Sequence, residues 1–263
     1  MYDILFACGD SFTHGMEILG DANVSEENKY HAYPMQITDH FKIPHNVNSA
    51  LPGAPNEWIA RTTILDLLKL QAEGQDLSKV FVIVGWSGIN RLEITAKEEI
   101  KMLKKTGDWP PLGMLSTEIE MFGTNFVNPN TTKWIKDGNG KTVCNFGDDA
   151  QMFCAQFLWD EDLEHEKWFG YIQLVKQFCE NNNIKYLMHN NVHPWNRMLK
   201  IRPNFLIDKE FTKEYYKPDT FAFSEWAKQK HSYGMRREGH YNKQVHTEFK
   251  NLLVEYIEEK DLI

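Results

Sequence analysis

The sequence is poor in the features that mark several protein classes. Its four cysteines, Cys8, Cys144, Cys154 and Cys179, stand far apart with no Cys-x-x-Cys pair. That pattern speaks for buried thiols rather than a disulfide framework, and for synthesis in a reducing interior. No apolar run approaches the roughly 20 residues that span a bilayer. The chain reaches Tyr2-Asp3 with no basic segment ahead of it, so neither a secretory signal nor a membrane span is expected and the protein is cytoplasmic at synthesis. Positive charge is in deficit: 29 Lys and Arg face 37 Asp and Glu, a formal net charge of −8. This argues against a nucleic-acid backbone or an anionic membrane as the main partner. A phosphate loop, a dinucleotide fingerprint and a Gly-x-Ser-x-Gly elbow are all missing. No Asp, Glu or Cys accompanies His189 and His193 at metal-ligand spacing, so neither a metal nor an organic cofactor is implied.

What is present is enough for one large α/β domain or two small ones: 263 residues with 42% hydrophobic content. Tyr2 to Cys8 is an apolar run without Pro or Gly, the pattern of a strand buried on both faces. It stops at Gly9-Asp10-Ser11-Phe12-Thr13-His14-Gly15, a tight turn at the carboxyl end of a strand, where open parallel sheets bind ligands. If a helix begins near Phe12, the Ser11 hydroxyl lies at its N-terminus, where free N–H groups favour developing negative charge. A capping role for Asp10 or Ser11 explains the same residues locally. Glu17 to His31 is polar and is expected as a surface loop. A short amphipathic helix started by Pro34 should follow over His31 to Phe41, then a strand at His45 to Asn48. A rigid Pro52-Gly53-Ala54-Pro55 loop precedes a helix over Glu57 to Gln71. Lys79 to Val84 is the clearest strand, β-branched and apolar, and ends in Gly85-Trp86-Ser87-Gly88-Ile89-Asn90-Arg91.

Further on, Thr95 to Lys105 reads as a charged helix, and about 107–166 as an aromatic-rich insertion after the third strand. The insertion holds a β-hairpin around Asp137-Gly138-Asn139-Gly140. It suits a lid or a sugar-stacking surface, or equally the cover of an exposed sheet edge. Glu166 to Asn181 has helical periodicity from Trp168 to Cys179. Ile184 to Met188 is the next strand, with His189 to Trp195 expected as a loop. Arg197 to Lys230 is mixed and aromatic, and suits helices or loops around the site mouth. Val245, Phe249, Leu252, Leu253, Tyr256 and Ile257 mark a terminal helix.

The Gly9-Asp10-Ser11-Phe12 turn resembles block I of the SGNH (GDSL-type) hydrolases, whose serine is the nucleophile. The same resemblance extends along nearly the whole chain. Gly53 matches block II, whose glycine N–H helps form the oxyanion hole. Gly88-Ile89-Asn90 matches block III, whose Asn side chain donates a third hydrogen bond, although Arg91 stands where Asp is usual. The triplet comes late after its strand, so Ser87 or Trp86 is an alternative at that position. His240 and His246, six residues apart at the start of the terminal helix, match the base and a second histidine. Tyr241 replaces the usual Pro, and Arg237 stands three residues before His240 where the family has Asp. Glu238 is then the third-member candidate, the alternative being a Ser11–His240 dyad held by a backbone carbonyl.

The resemblance implies a single three-layer α/β/α domain over 1–263 with a parallel sheet, flavodoxin-like in architecture. It implies a serine esterase acting through an acyl-enzyme, with Ser11 and His240 catalytic and Ser11, Gly53 and Asn90 at the oxyanion. Small acyl esters, and O-acetyl groups on carbohydrate among them, are the implied substrates, with Trp86 and His193 as candidate substrate contacts. The competing expectation is a protein that keeps the fold while its triad decays, binding carbohydrate or serving in assembly. Phage-encoded relatives share the Gly-Asp-Ser-Phe start and a basic residue after block III, which would make the chain a virion component if it is phage-encoded. Oligomeric state is left open.

Overall fold

The computed structural model describes residues 2–20, 25–89, 91–95, 119–123, 135–136, 142–143, 161–195, 214–231, 234–235 and 239–263. In chain order these form β1 (Ile4–Gly9), α1 (Ser11–His14), α2 (Glu26–Lys29), α3 (Tyr33–Phe41), β2 (His45–Asn48), α4 (Asn56–Ala72) and β3 (Val80–Trp86). There follow β4 (Arg91–Thr95), β5 (Ile119–Gly123), β6 (Ile135–Lys136), β7 (Thr142–Val143), α5 (Glu161–Asn181), β8 (Lys185–Asn190), α6 (Phe223–Lys230) and α7 (Lys243–Glu259).

β1, β3 and β8 are hydrophobic on both faces because helices cover both sides of the sheet they build. The sheet is parallel with order β2-β1-β3-β8. An isolated parallel bridge from Met188 to Tyr215 extends it beyond β8. β2 is the edge strand and is only half-buried, which is why its sequence does not read as an apolar run. Alternation along the strands divides the core. Phe6, Cys8, Val82, Val84 and Trp86 face α4 and α5, where Ile59, Leu67, Trp168, Ile172 and Val175 pack. Leu5, Ala7, Phe81 and Ile83 face Tyr33 and Ile37 of α3, Phe223 of α6, and Val245, Phe249 and Leu253 of α7. These are the expected three layers. Chain order reverses direction across the sheet between β1 and β3, and in open α/β sheets that switch point is where a crevice opens at the strands' carboxyl ends.

Several expectations are corrected. The segment from Glu17 to His31 is only partly a surface loop: Glu17, Ile18 and Asn28 are buried and Glu26–Lys29 form α2, while Leu19 and Tyr30 are exposed. α5 begins at Glu161 and β8 runs on through His189 and Asn190. Both of those β8 residues are fully buried rather than in a loop. The expected hairpin is present as β6 against β7, pairing Ile135 with Val143 and Lys136 with Thr142. β4 pairs antiparallel with β5. The charged helix expected after Thr95, most of the 107–166 insertion and much of Arg197 to Lys230 lie outside the described residues. No helix among the described residues is long and apolar enough to cross a membrane.

Candidate active site

The site starts at the close contact of two strand ends. A side chain at Gly9 would run into Thr13 and lie 2.8 Å from the Gly85 carbonyl, so only glycine lets β1 turn there beside β3. Asp10 follows as the N-cap of α1. Its carboxylate accepts from Phe12 N–H at 3.1 Å and its carbonyl from His14 N–H at 3.0 Å. Gly15 ends the helix in a left-handed conformation, φ +83°, with its N–H on the Ser11 carbonyl. α1 is thus a single turn, and the helix-dipole support expected for Ser11 is correspondingly small. Ser11 is 3% exposed, and among the described residues nothing hydrogen-bonds its hydroxyl.

Beneath Ser11 lies a buried polar network centred on Asp10. Its Oδ1 also accepts from Asn191 Nδ2 at 2.7 Å; its Oδ2 accepts from Ser87 Oγ and Arg91 Nη1, each at 3.0 Å. Arg91 also donates to Ser87 Oγ at 2.7 Å. Asn191 reaches Thr13 Oγ1, which meets Tyr33 OH, which meets His189 Nε2 at 2.7 Å. The departure from the family pattern at Arg91 therefore has a local reason: the guanidinium neutralises a carboxylate that has no exposed surface. Ser87 is committed to this network through its hydroxyl, and its backbone is clamped by the Asn56 side chain at 2.8 and 3.2 Å. It is not free to serve an oxyanion. Trp86 is fully buried in the core between β3 and α5. This corrects both readings of Trp86, as oxyanion donor and as substrate contact, because its indole has no surface to offer. Asn90 lies outside the described residues.

The second strand-end loop carries Gly53. Leu51-Pro52-Gly53-Ala54 closes a turn with Ala54 N–H on the Leu51 carbonyl at 3.0 Å and Gly53 at φ +82°. Pro followed by a left-handed Gly is the type II signature. A Cβ on Gly53 would meet open space, so the glycine is required by conformation and not by crowding. Among the described residues no acceptor takes its N–H.

His240 comes from the far end of the chain, on the segment that leads into α7. Its ring packs against Phe12 at 5.3 Å between centroids, which sets it beside the residue following Ser11. Its Nδ1 lies 3.2 Å from Glu17 Oε2. A carboxylate only accepts, so this contact is a hydrogen bond in the tautomer that has its hydrogen on Nδ1. Sequence reasoning missed Glu17. The available signal was a carboxylate set between the apolar residues Met16 and Ile18, directly after the Gly15 turn. Glu238 lies outside the described residues. His246 is buried within α7: it stacks on Tyr33 and burial lowers its pKa to about 3. Burial likewise takes His14 down to about 4. His193 sits past the end of β8 with Nδ1 3.9 Å from Glu225 of α6. Among the described residues no cluster of His, Cys, Asp or Glu is placed to hold a metal ion.

No protein-family model and no curated protein matches the chain. Solved structures do. The chain is similar to the psychrotrophic esterase EstA from Pseudoalteromonas, solved inhibited by monoethylphosphonate, with TM-score 0.46 and 10% identity over 98% of this chain and 97% of that one. It is similar to TesA, with TM-score 0.47 and 10% identity over 98% and 99%. A third likeness is to Axe2, an acetyl-xylooligosaccharide esterase from a Geobacillus, with TM-score 0.32 and 12% identity over 97% and 94%. At such scores the roles of individual residues rest on this chain's own geometry.

Proposed function

We propose that the chain is a serine esterase that hydrolyses small acyl esters through an acyl-enzyme. The observations behind this reading are a Ser11 hydroxyl at the sheet's switch point with no hydrogen-bond partner among the described residues, and a His240 ring packed on the neighbouring Phe12 with its Nδ1 3.2 Å from Glu17. In the proposed reaction Ser11 Oγ attacks the acyl carbon and its proton passes to His240 Nε2. The oxyanion that forms is met by the N–H groups of Ser11 and Gly53 and by the Asn90 side chain. Collapse expels the alcohol, which leaves with the proton from His240. Water then repeats the sequence on the acyl-Ser11 ester, releasing the acid and restoring the hydroxyl. O-acetyl groups on carbohydrate are the substrates to try first, on the strength of the family resemblance, with His193 as a contact at the rim.

Hydrolysis of p-nitrophenyl acetate, followed by a panel of O-acetylated sugars, tests the reading. The wild-type protein should turn over the ester, and Ser11→Ala should lower kcat by roughly 10⁴-fold or more. Equal rates for the two proteins would defeat the proposal and favour a non-catalytic binding role.

A further inference from the structure

We propose that Glu17 is the positioning carboxylate of the site, replacing the aspartate that the family carries three residues before its histidine. This inference rests on the Ser11–His240 reading and adds its third member. Glu17 Oε2 lies 3.2 Å from His240 Nδ1, with the two side chains 2% and 13% exposed. A charge-assisted hydrogen bond shielded to that degree is worth more than one in water. The bond holds the imidazole in the tautomer that leaves Nε2 basic, and it stabilises the imidazolium formed when Ser11 loses its proton.

The backbone points the same way. Glu17 adopts φ +60°, a left-handed conformation uncommon for a residue that is neither Gly, Asn nor Asp. Such a conformation persists only where the surroundings over-determine it. Here buried Met16 and Ile18 anchor the residue on either side, and its carbonyl accepts from Gly20 N–H at 2.8 Å. The strain turns a glutamate inward where the neighbouring apolar side chains alone would have satisfied the core. His14 and His246 also lie near enough to His240 to feel its charge. Both are neutral near pH 7, because burial lowers them to about 4 and about 3. Neither competes for the Nδ1 hydrogen. The arrangement also accounts for Arg237. With the acid supplied six residues after the nucleophile, the histidine loop has no need of a carboxylate three positions before His240.

The test is steady-state hydrolysis of p-nitrophenyl acetate by the full chain and by Glu17→Gln, Glu17→Asp and Glu238→Gln, with thermal melting of each. Glu17→Gln keeps the shape and should lower kcat by roughly 10²–10⁴-fold with KM little changed. Glu17→Asp should retain more of kcat than the glutamine variant, and Glu238→Gln should lose far less than Glu17→Gln. Full kcat in Glu17→Gln, or the loss appearing in Glu238→Gln instead, overturns the inference. A second readout does not depend on turnover. Imidazole ¹⁵N spectra should show His240 as the Nδ1–H tautomer in the wild type and lose that preference in Glu17→Ala. An unchanged spectrum overturns the positioning role whether or not the protein is an esterase. An inactive wild type with the expected spectra would sink the esterase reading and leave the Glu17–His240 pairing standing.

Discussion

Asp10 has no exposed surface, yet its carboxylate meets four donors: Phe12 N–H, Asn191, Ser87 and Arg91. Ser87 follows β3, Asn191 follows β8 and Arg91 opens β4, so one side chain ties these strand ends to the turn after β1. The capping role for Asp10 was legible from its place before a helix start. Its union with Arg91 was not, because 81 residues separate the two. Arg91 read in sequence as a departure from a pattern, whereas in the fold it is the counter-charge that makes a buried carboxylate tolerable. Removing one member of such a pair strands the other. Arg91→Ala should therefore lower unfolding free energy by about 3 kcal/mol, the lower end for a broken buried pair given the donors that remain. Urea unfolding measures it, and a loss under about 1 kcal/mol would place the pair among ordinary surface ion pairs.

At the level of elements, β1 and β3 were legible because strands covered on both faces read as unbroken apolar runs. α7 was legible because its buried residues recur at helical spacing. The start of the connection after α1, where Glu17 and Ile18 are buried, was not legible. Its sequence is mostly polar, and Glu17 is buried by its partner rather than by its own hydrophobicity. β8 was cut short for a related reason, since His189 and Asn190 look like loop residues until their buried contacts are seen. His189 on β8 and His246 on α7 are both fully buried, and desolvation lowers each from the ordinary 6.5 to about 3. Below pH ~6.5 the unfolded chain takes up protons at these positions while the folded chain does not. Their stabilising effect is therefore complete above that pH and falls away as pH drops towards 3, at up to about 1.4 kcal/mol per pH unit for each. Urea midpoints should decline steadily from about pH 7 to pH 5, and a His246→Gln variant should show a shallower decline. A flat profile in the wild type would contradict the burial of these rings as neutral groups.

Across the whole molecule, Ser11 follows β1 at the sheet's switch point, and Gly53 lies on the loop after the neighbouring β2. The terminal segment then returns His240 to the same end. Motif order along the chain pointed to Ser11, Gly53 and His240 as one group. The contact of Glu17 with His240 was not legible, since the two stand 223 positions apart. Only the closure of α7 against the sheet brings the two together. The account's central claim is that this closure makes one serine reactive. Intact-mass analysis after fluorophosphonate treatment tests it most directly. The account predicts a single adduct on the wild type, mapping to the peptide that holds Ser11, absent in Ser11→Ala and formed far more slowly in His240→Ala. No adduct on folded wild type, or one that persists in Ser11→Ala, would contradict it.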